Sequence, residues 1–126
     1  MGFSEAVRTV LNKYATFEGR ARRAEYWYFT LVSVILSIVV QIIGAGGRDG
    51  GLITLLLLGI ICLVSLALII PGIAVSVRRL HDTGRSGWFL LIALIPIVGG
   101  ILLLVWMCSR GTDGPNRFGA DPIPAV

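Results

Sequence analysis

Charged side chains are scarce in this sequence, and long stretches of it have none. Asp, Glu, Lys and Arg make up 14% of the 126 residues, whereas soluble domains carry roughly 25%. Gly50–Val77 and Ser86–Ser109 contain none of these four residue types. Because 56% of the chain is hydrophobic, a soluble domain of this size could not bury all of its apolar side chains in a core. The composition therefore excludes a soluble globular domain and predicts an all-α membrane protein.

Cysteine and histidine are also scarce, which excludes several kinds of site. Cys62 lies within one apolar stretch and Cys108 at the end of another, so the sequence offers no disulfide framework. Two thiols and the single histidine, His81, are too few for a structural zinc site. The sequence also has no glycine-rich phosphate loop and no nucleic-acid-binding module. We therefore predict no metal site, no cofactor and no nucleic-acid partner.

Three uncharged runs predict three transmembrane helices, at about 26–43, 52–77 and 88–107. A helix needs about 20 predominantly apolar residues to cross the hydrocarbon core, and each run is long enough. Pro71 lacks a backbone amide hydrogen, so we expect it to kink the second helix. Together the runs predict a single integral membrane domain over residues 1–126.

The third run has two interpretations. Trp88 and Trp106 lie 18 residues apart, and at 1.5 Å per residue a helix places them roughly 27 Å apart. That spacing suits two aromatic anchors at opposite membrane faces, and it favours a kinked crossing. Pro96 and the following glycines favour the alternative, in which the helix breaks between Pro96 and Gly100 and turns back.

The N-terminal residues 3–14 have the pattern of an amphipathic helix. Their apolar side chains recur at helical spacing, at Phe3, Ala6, Val7, Val10, Leu11 and Tyr14. Two interpretations remain open, a helix lying in the membrane interface and a short helix folded onto the protein's own loops. The glycine-rich residues 44–51 predict an exposed loop, and the residues 110–126 predict a turn-rich tail.

The distribution of basic residues predicts the orientation. Eight of the eleven lie before the first predicted span or between the second and third. The positive-inside rule therefore predicts a cytoplasmic N-terminus and a cytoplasmic second loop. If the third segment turns back, ten of the eleven lie on that side, so the side of the tail stays open.

Two charged motifs at this predicted face supply the candidate site residues. The candidates are Arg20, Arg22, Arg23, Glu25, Arg78, Arg79, His81, Asp82 and Arg85. One interpretation is an interfacial ion-pair network, and the other is a site for anionic lipid headgroups. His81 beside Asp82 is the only pair suited to acid–base chemistry, but a turn capped by Ser86 explains it as well.

Four stretches also carry a family resemblance. They are 17–27 (FEGRARRAEYW), 78–88 (RRLHDTGRSGW), 95–99 (IPIVG) and 114–122 (GPNRFGADP). With these motifs in this order, the chain resembles the bacterial inner-membrane family known as domain of unknown function 805, the YhaH-like proteins. Ala24 departs mildly from the family, where serine is common. The resemblance implies a small multi-pass protein of the bacterial inner (cytoplasmic) membrane, and it implies no activity.

We therefore expect a non-enzymatic scaffold, or a module that binds a partner or lipid through a basic cytoplasmic face. The alternative is an oligomeric channel or small-solute transporter, although the predicted spans lack the intramembrane ionisable residue of a proton-coupled transporter. A third hypothesis is a lipid-modifying enzyme that uses His81 and Asp82. The expected partners are the bilayer, anionic lipid headgroups and further copies of the chain.

Overall fold

The described part of the protein is a bundle of α-helices with one 3₁₀ helix. A computed structural model describes residues 2–46 and 51–122, and no β-strand occurs among them. The elements, in chain order, are α1 (Phe3–Asn12), α2 (Arg23–Gly46), α3 (Leu52–Ala67), α4 (Ile69–Asp82), a 3₁₀ helix (Gly87–Leu94) and α5 (Val98–Cys108).

Among the described residues, two helices are long and apolar enough to cross a membrane. The first is α2, with 24 residues, and the second is the 31-residue helix Leu52–Asp82 that α3 and α4 form together. They correspond to the first two predicted spans. The first is longer than predicted by three residues at each end, and the second by five residues at its C-terminal end. Gly44–Gly46, expected in a loop, continue α2, and residues 47–50 of that loop lie outside the described residues.

The second long helix is interrupted where proline predicts it. The first α-helical part ends at Ala67, and the second begins at Ile69, two residues before Pro71. Proline cannot donate a hydrogen bond to the carbonyl four residues earlier, which here belongs to Ala67. The apolar residues of α3 are exposed on this helix, as expected of side chains that face lipid.

The third apolar segment forms a hairpin. The 3₁₀ helix and α5 meet at residues 95–97, where Pro96 cannot continue a helix and Ile97 has a φ of +65°. A Cβ atom on Gly99 would lie 1.7 Å from the carbonyl oxygen of Ile92, so only glycine permits this close turn. The rings of Phe89 and Trp106, from the two arms, meet edge to face at 5.7 Å.

This hairpin replaces the continuous kinked helix that we expected over 88–107 and corresponds to the alternative, a break between Pro96 and Gly100. Its returning arm ends beside α4, because Arg79 donates hydrogen bonds to the carbonyl oxygens of Met107 and Ser109. The spacing of the tryptophans was therefore misleading, since the chain reverses direction between them.

The N-terminal helix packs on the rest of the protein. Ala6 and Val10 are fully buried, and Val10 joins Ala21, Phe29 and Val75 in the hydrophobic core. This α1 ends at Asn12, two residues before the predicted end. Other apolar residues of this N-terminal region, such as Phe3, Leu11 and Phe17, remain exposed.

The segment 109–122 contains no helix, as its turn-forming residues predict. It crosses the end of α4, where the Thr112 amide donates to the Asp82 carbonyl at 2.7 Å. Gly111 packs so closely that a Cβ atom there would lie 2.0 Å from a carboxylate oxygen of Asp82. The tail therefore covers the charged end of the second long helix.

Candidate functional site: a buried charge cluster at the end of α4

Five charged side chains are buried together where α4 ends. We call Arg20, Glu25, Arg78, Arg79 and Asp82 the buried charge cluster, and each is at most 5% exposed. Charged residues are almost never fully buried unless they are paired. Glu25 lies in the first turn of α2, the two adjacent arginines and Asp82 lie in the last turns of α4, and Arg20 precedes α2.

Asp82 pairs with two arginines. Its Oδ1 atom lies 3.0 Å from Arg20, and its Oδ2 atom lies 2.6 Å from Nη1 of Arg79. One carboxylate thus joins the loop before α2 to the last turn of α4. Charge-assisted hydrogen bonds of this kind are about twice as strong as neutral ones.

Glu25 pairs with Arg78, at 2.5 Å between Oε1 and Nη1. The Nε and Nη2 atoms of Arg78 have no hydrogen-bond partner among the described residues. The carbonyl of Arg78 also accepts a hydrogen bond from the Ala21 amide at 3.0 Å. This pair therefore fastens the start of α2 to α4, next to the apolar core.

Backbone carbonyls of the tail complete the coordination of Arg20. Its guanidinium group donates to the carbonyl oxygens of Thr112 at 2.5 Å, Gly114 at 2.7 Å and Gly119 at 3.3 Å. The cluster holds three cations and two carboxylates, so these neutral acceptors help to stabilise the excess positive charge. Sequence reasoning missed them, because a backbone carbonyl has no residue signature. The glycines of the tail were the only sequence feature that could have indicated these carbonyl contacts.

The C-terminal end of α5 supplies further acceptors. Arg23 donates to the carbonyl of Cys108 at 3.2 Å, and the indole nitrogen of Trp27 donates to that of Met107 at 3.1 Å. Arg79 also donates a hydrogen bond to the carbonyl oxygen of Met107, at the same end of α5. The last carbonyls of a helix lack intrahelical donors and carry partial negative charge, so cationic side chains stabilise them. The hairpin is thereby fixed to α2 and α4.

His81 and Asp82 do not form an acid–base pair. The Nδ1 atom of His81 lies 2.9 Å from the Gly19 carbonyl oxygen, and its ring stacks on Phe118 with centroids 4.0 Å apart. His81 lies four residues after Val77, where the uncharged stretch ends, and is therefore outside the predicted membrane span 52–77. Burial lowers the pKa of His81, and the charge of Arg117 lowers it further, against the opposite effect of the Gly19 carbonyl.

The other predicted arginines lie outside the cluster. Arg22 and Arg85 are half-buried and Arg23 is exposed. The guanidinium group of Arg85 lies over the Trp106 ring, 4.6 Å from its centroid. Ser86 caps the 3₁₀ helix as predicted, accepting a hydrogen bond from the Trp88 amide. Within residues 2–46 and 51–122, no three His, Cys, Asp or Glu side chains are grouped to hold a metal ion.

Comparison with known proteins decides the family. Residues 14–120 match the family described as "Protein of unknown function (DUF805)". The chain belongs to this family. It is 42% identical over 114 residues to the inner membrane protein YhaI of Escherichia coli K12, covering 90% of this chain and 92% of YhaI. The inner membrane protein YhaH of the same strain is 43% identical over 120 residues, with the same two coverages.

A more distant relative is the uncharacterized protein YiiR of Escherichia coli K12, 30% identical over 135 residues that cover 84% of this chain and 85% of YiiR. No solved structure matches the chain. The family and its named relatives support an integral protein of the bacterial inner membrane. All five members of the buried charge cluster lie within the matched residues 14–120.

Proposed function

We propose that the protein is a non-enzymatic membrane scaffold whose basic cytoplasmic surface binds anionic lipid headgroups. The observation that carries this proposal is the division of the arginines into two sets. The arginines of the buried charge cluster form ion pairs with Glu25 and Asp82. Around the cluster lie Arg22, Arg23, Arg85 and Arg117, and none of these four takes part in the ion pairs described for residues 2–46 and 51–122.

In this proposal the chain crosses the membrane twice, through α2 and through α3 with α4. The hairpin enters the bilayer and returns, so both termini lie in the cytoplasm. This arrangement brings every basic residue except Arg48 to one side, as the positive-inside rule favours. The exposed apolar side chains of the N-terminal region, such as Phe3 and Leu11, then lie in the interface, with Ala6 and Val10 packed on the protein.

Headgroup binding can be tested in nanodiscs that contain phosphatidylcholine and phosphatidylglycerol, with bound lipid identified by native mass spectrometry. Each basic residue near an anionic surface contributes about 1 kcal/mol. We therefore expect phosphatidylglycerol enrichment around the wild-type protein and loss of most of it in an R22Q/R23Q/R117Q variant. Arg48→Gln, on the other proposed side, is the control. Equal enrichment in wild type and triple variant would overturn the proposal.

A second candidate, an oligomeric channel or small-solute transporter, has one observation in its favour. A crevice of about 490 Å³ opens between α2 and the α3–α4 helix. Hydroxyl groups from both helices line it, at Thr30, Ser33, Ser37, Ser65 and Ser76. Since so few helices enclose no pore, this function needs several copies. A strict monomer by light scattering in nanodiscs rules it out, whereas a closed ring favours it over the scaffold.

The contacts of Asp82 and His81 argue against the enzyme hypothesis. Both carboxylate oxygens of Asp82 are occupied by arginines, and the Nδ1 atom of His81 is occupied by Gly19. A carboxylate that orients a histidine must contact its ring. We therefore propose a binding protein and no catalytic residue.

A further inference from the structure

A second cavity lies between α4 and the 3₁₀ helix, and none of the five cluster residues lines it. Its volume is about 500 Å³, within the range of roughly 300–1,000 Å³ that is typical of small-molecule sites. Its walls are mostly apolar, with Ile73, Val77 and Leu91 among them. Two polar residues, His81 and Ser86, also line it, and no Asp, Glu, Lys or Arg does so among the described residues.

His81 brings a hydrogen-bond acceptor to this cavity. A carbonyl oxygen can only accept, so the Nδ1 atom, 2.9 Å from the Gly19 oxygen, carries the ring proton. In the neutral ring the Nε2 atom is then an acceptor, and it has no partner among the described residues. Stacking on Phe118 and the hydrogen bond from Asn116 to the His81 carbonyl fix the ring and its backbone.

Ser86 brings a donor. Its oxygen accepts a hydrogen bond from the Trp88 amide at 3.3 Å, and its hydroxyl proton is donated to none of the described residues. An acceptor and a donor therefore line the same apolar cavity. A ligand hydroxyl group, which can donate and accept at once, satisfies both.

We propose that this cavity binds a long-chain alcohol, fatty or isoprenoid, from the bilayer. The alcohol donates to Nε2 of His81 and accepts from Ser86, and its chain occupies the apolar part of the cavity. A phosphate headgroup does not fit, because burying it without a cation is costly and the nearby Arg85 lies over Trp106. Trp88, which lines the cavity and is 80% exposed, marks an entrance at the membrane interface.

The test uses the full chain in phosphatidylcholine nanodiscs with a hexadecanol that carries a diazirine at the end of its chain. After irradiation, labelled peptides are mapped by mass spectrometry. We expect labelling within residues 73–91 that unlabelled hexadecanol displaces and hexadecyl phosphate does not. An isoprenoid alcohol as competitor distinguishes the two sources, since the better competitor identifies the natural chain.

Variants distinguish labelling in the cavity from labelling by probe in the surrounding lipid. Leu91→Trp fills the cavity and should lower labelling at least about tenfold, which corresponds to about 1.4 kcal/mol. Leu104→Trp, at an equally exposed leucine on the other arm of the hairpin, is the matched control. His81→Asn keeps a donor for Gly19 but loses Nε2, so labelling should fall about two- to tenfold.

Two results would overturn the proposal, and neither depends on how well a variant folds. One is wild-type labelling spread evenly over the exposed faces of α2 and α3. The other is hexadecyl phosphate displacing the probe as well as hexadecanol does. Headgroup binding at the surface arginines is unaffected by either result, so failure here is distinguishable from failure of the proposed scaffold function.

Discussion

The hydroxyl group of Tyr14 donates a 2.7 Å hydrogen bond to the carbonyl oxygen of Ala67. Pro71 has no amide hydrogen for that carbonyl, which lies four residues before it in the helix. A carbonyl without a partner is costly in an apolar environment. Tyr14, two residues after the end of α1, thus supplies the hydrogen bond that the proline removes. The N-terminal region therefore contacts the second long helix at its break.

Tyr14→Phe should therefore lower the free energy of unfolding by about 1 kcal/mol, the net contribution of one hydrogen bond. In a Pro71→Ala background the restored amide serves Ala67, so the same substitution should cost close to nothing. Unfolding by SDS titration in detergent micelles, followed by circular dichroism, measures both. Equal losses in the two backgrounds would show that the tyrosine stabilises the protein by some other contact.

The buried pair Glu25–Arg78 should be the most sensitive ion pair. Glu25→Gln leaves the buried arginine uncompensated, at a cost of about 3–5 kcal/mol. The exposed pair Arg110–Asp113, at 65% and 79% exposure, provides the control, and Asp113→Asn should cost about 0–1 kcal/mol. A double-mutant cycle should give strong coupling of Glu25 to Arg78 and weak coupling to Arg79. Stronger coupling to Arg79 would contradict the pairing.

Neighbouring glycines test the hairpin. Gly99→Ala places a methyl group against the Ile92 carbonyl, 1.7 Å from its oxygen, and should cost more than about 2 kcal/mol. Gly100→Ala meets nothing within 4 Å and should stabilise the helix by roughly 0.5–1 kcal/mol. The same SDS titration reports both. If the two substitutions behave alike, residues 92 and 99 are not in contact in the membrane.

The two-crossing topology predicts which positions share a side. In a background with Cys62 and Cys108 replaced by serine, single cysteines are placed at Lys13, Arg48 and Asp113. A membrane-impermeant maleimide added to intact cells should label position 48, and positions 13 and 113 only after the cells are opened. Labelling of position 113 from outside would mean that residues 86–109 cross the membrane.

The two long helices were predictable because the absence of charge is a strong signal over 20 or more residues. The start of α2 and the end of α4 were also expected to approach each other, with Glu25 and Asp82 facing arginines. Sequence reasoning could not decide which of two adjacent arginines Glu25 contacts. In a helix, neighbouring side chains point about 100° apart, and the packing of α2 on α4 selects Arg78.

The hairpin and the tail were harder to predict. An uncharged run has the same composition whether it crosses the bilayer or turns back, and the decisive feature is a backbone conformation at Ile97 and Gly99. The acceptors for Arg20 are main-chain carbonyls at Thr112, Gly114 and Gly119. No side chain distinguishes these carbonyls from any others, so only the folded chain reveals them.

The contacts of Arg20 also constrain how the protein is made. The carbonyl partners of this arginine lie 92 to 99 positions later in the chain, so they are synthesised long after it. The loop before α2 therefore holds a cation without its complete set of partners until all three apolar segments and the tail have left the ribosome. A chain shortened so that it lacks Gly119 would lose one of the carbonyl acceptors of Arg20. Every apolar segment would still be present for insertion, but the contacts of Arg20 would stay incomplete.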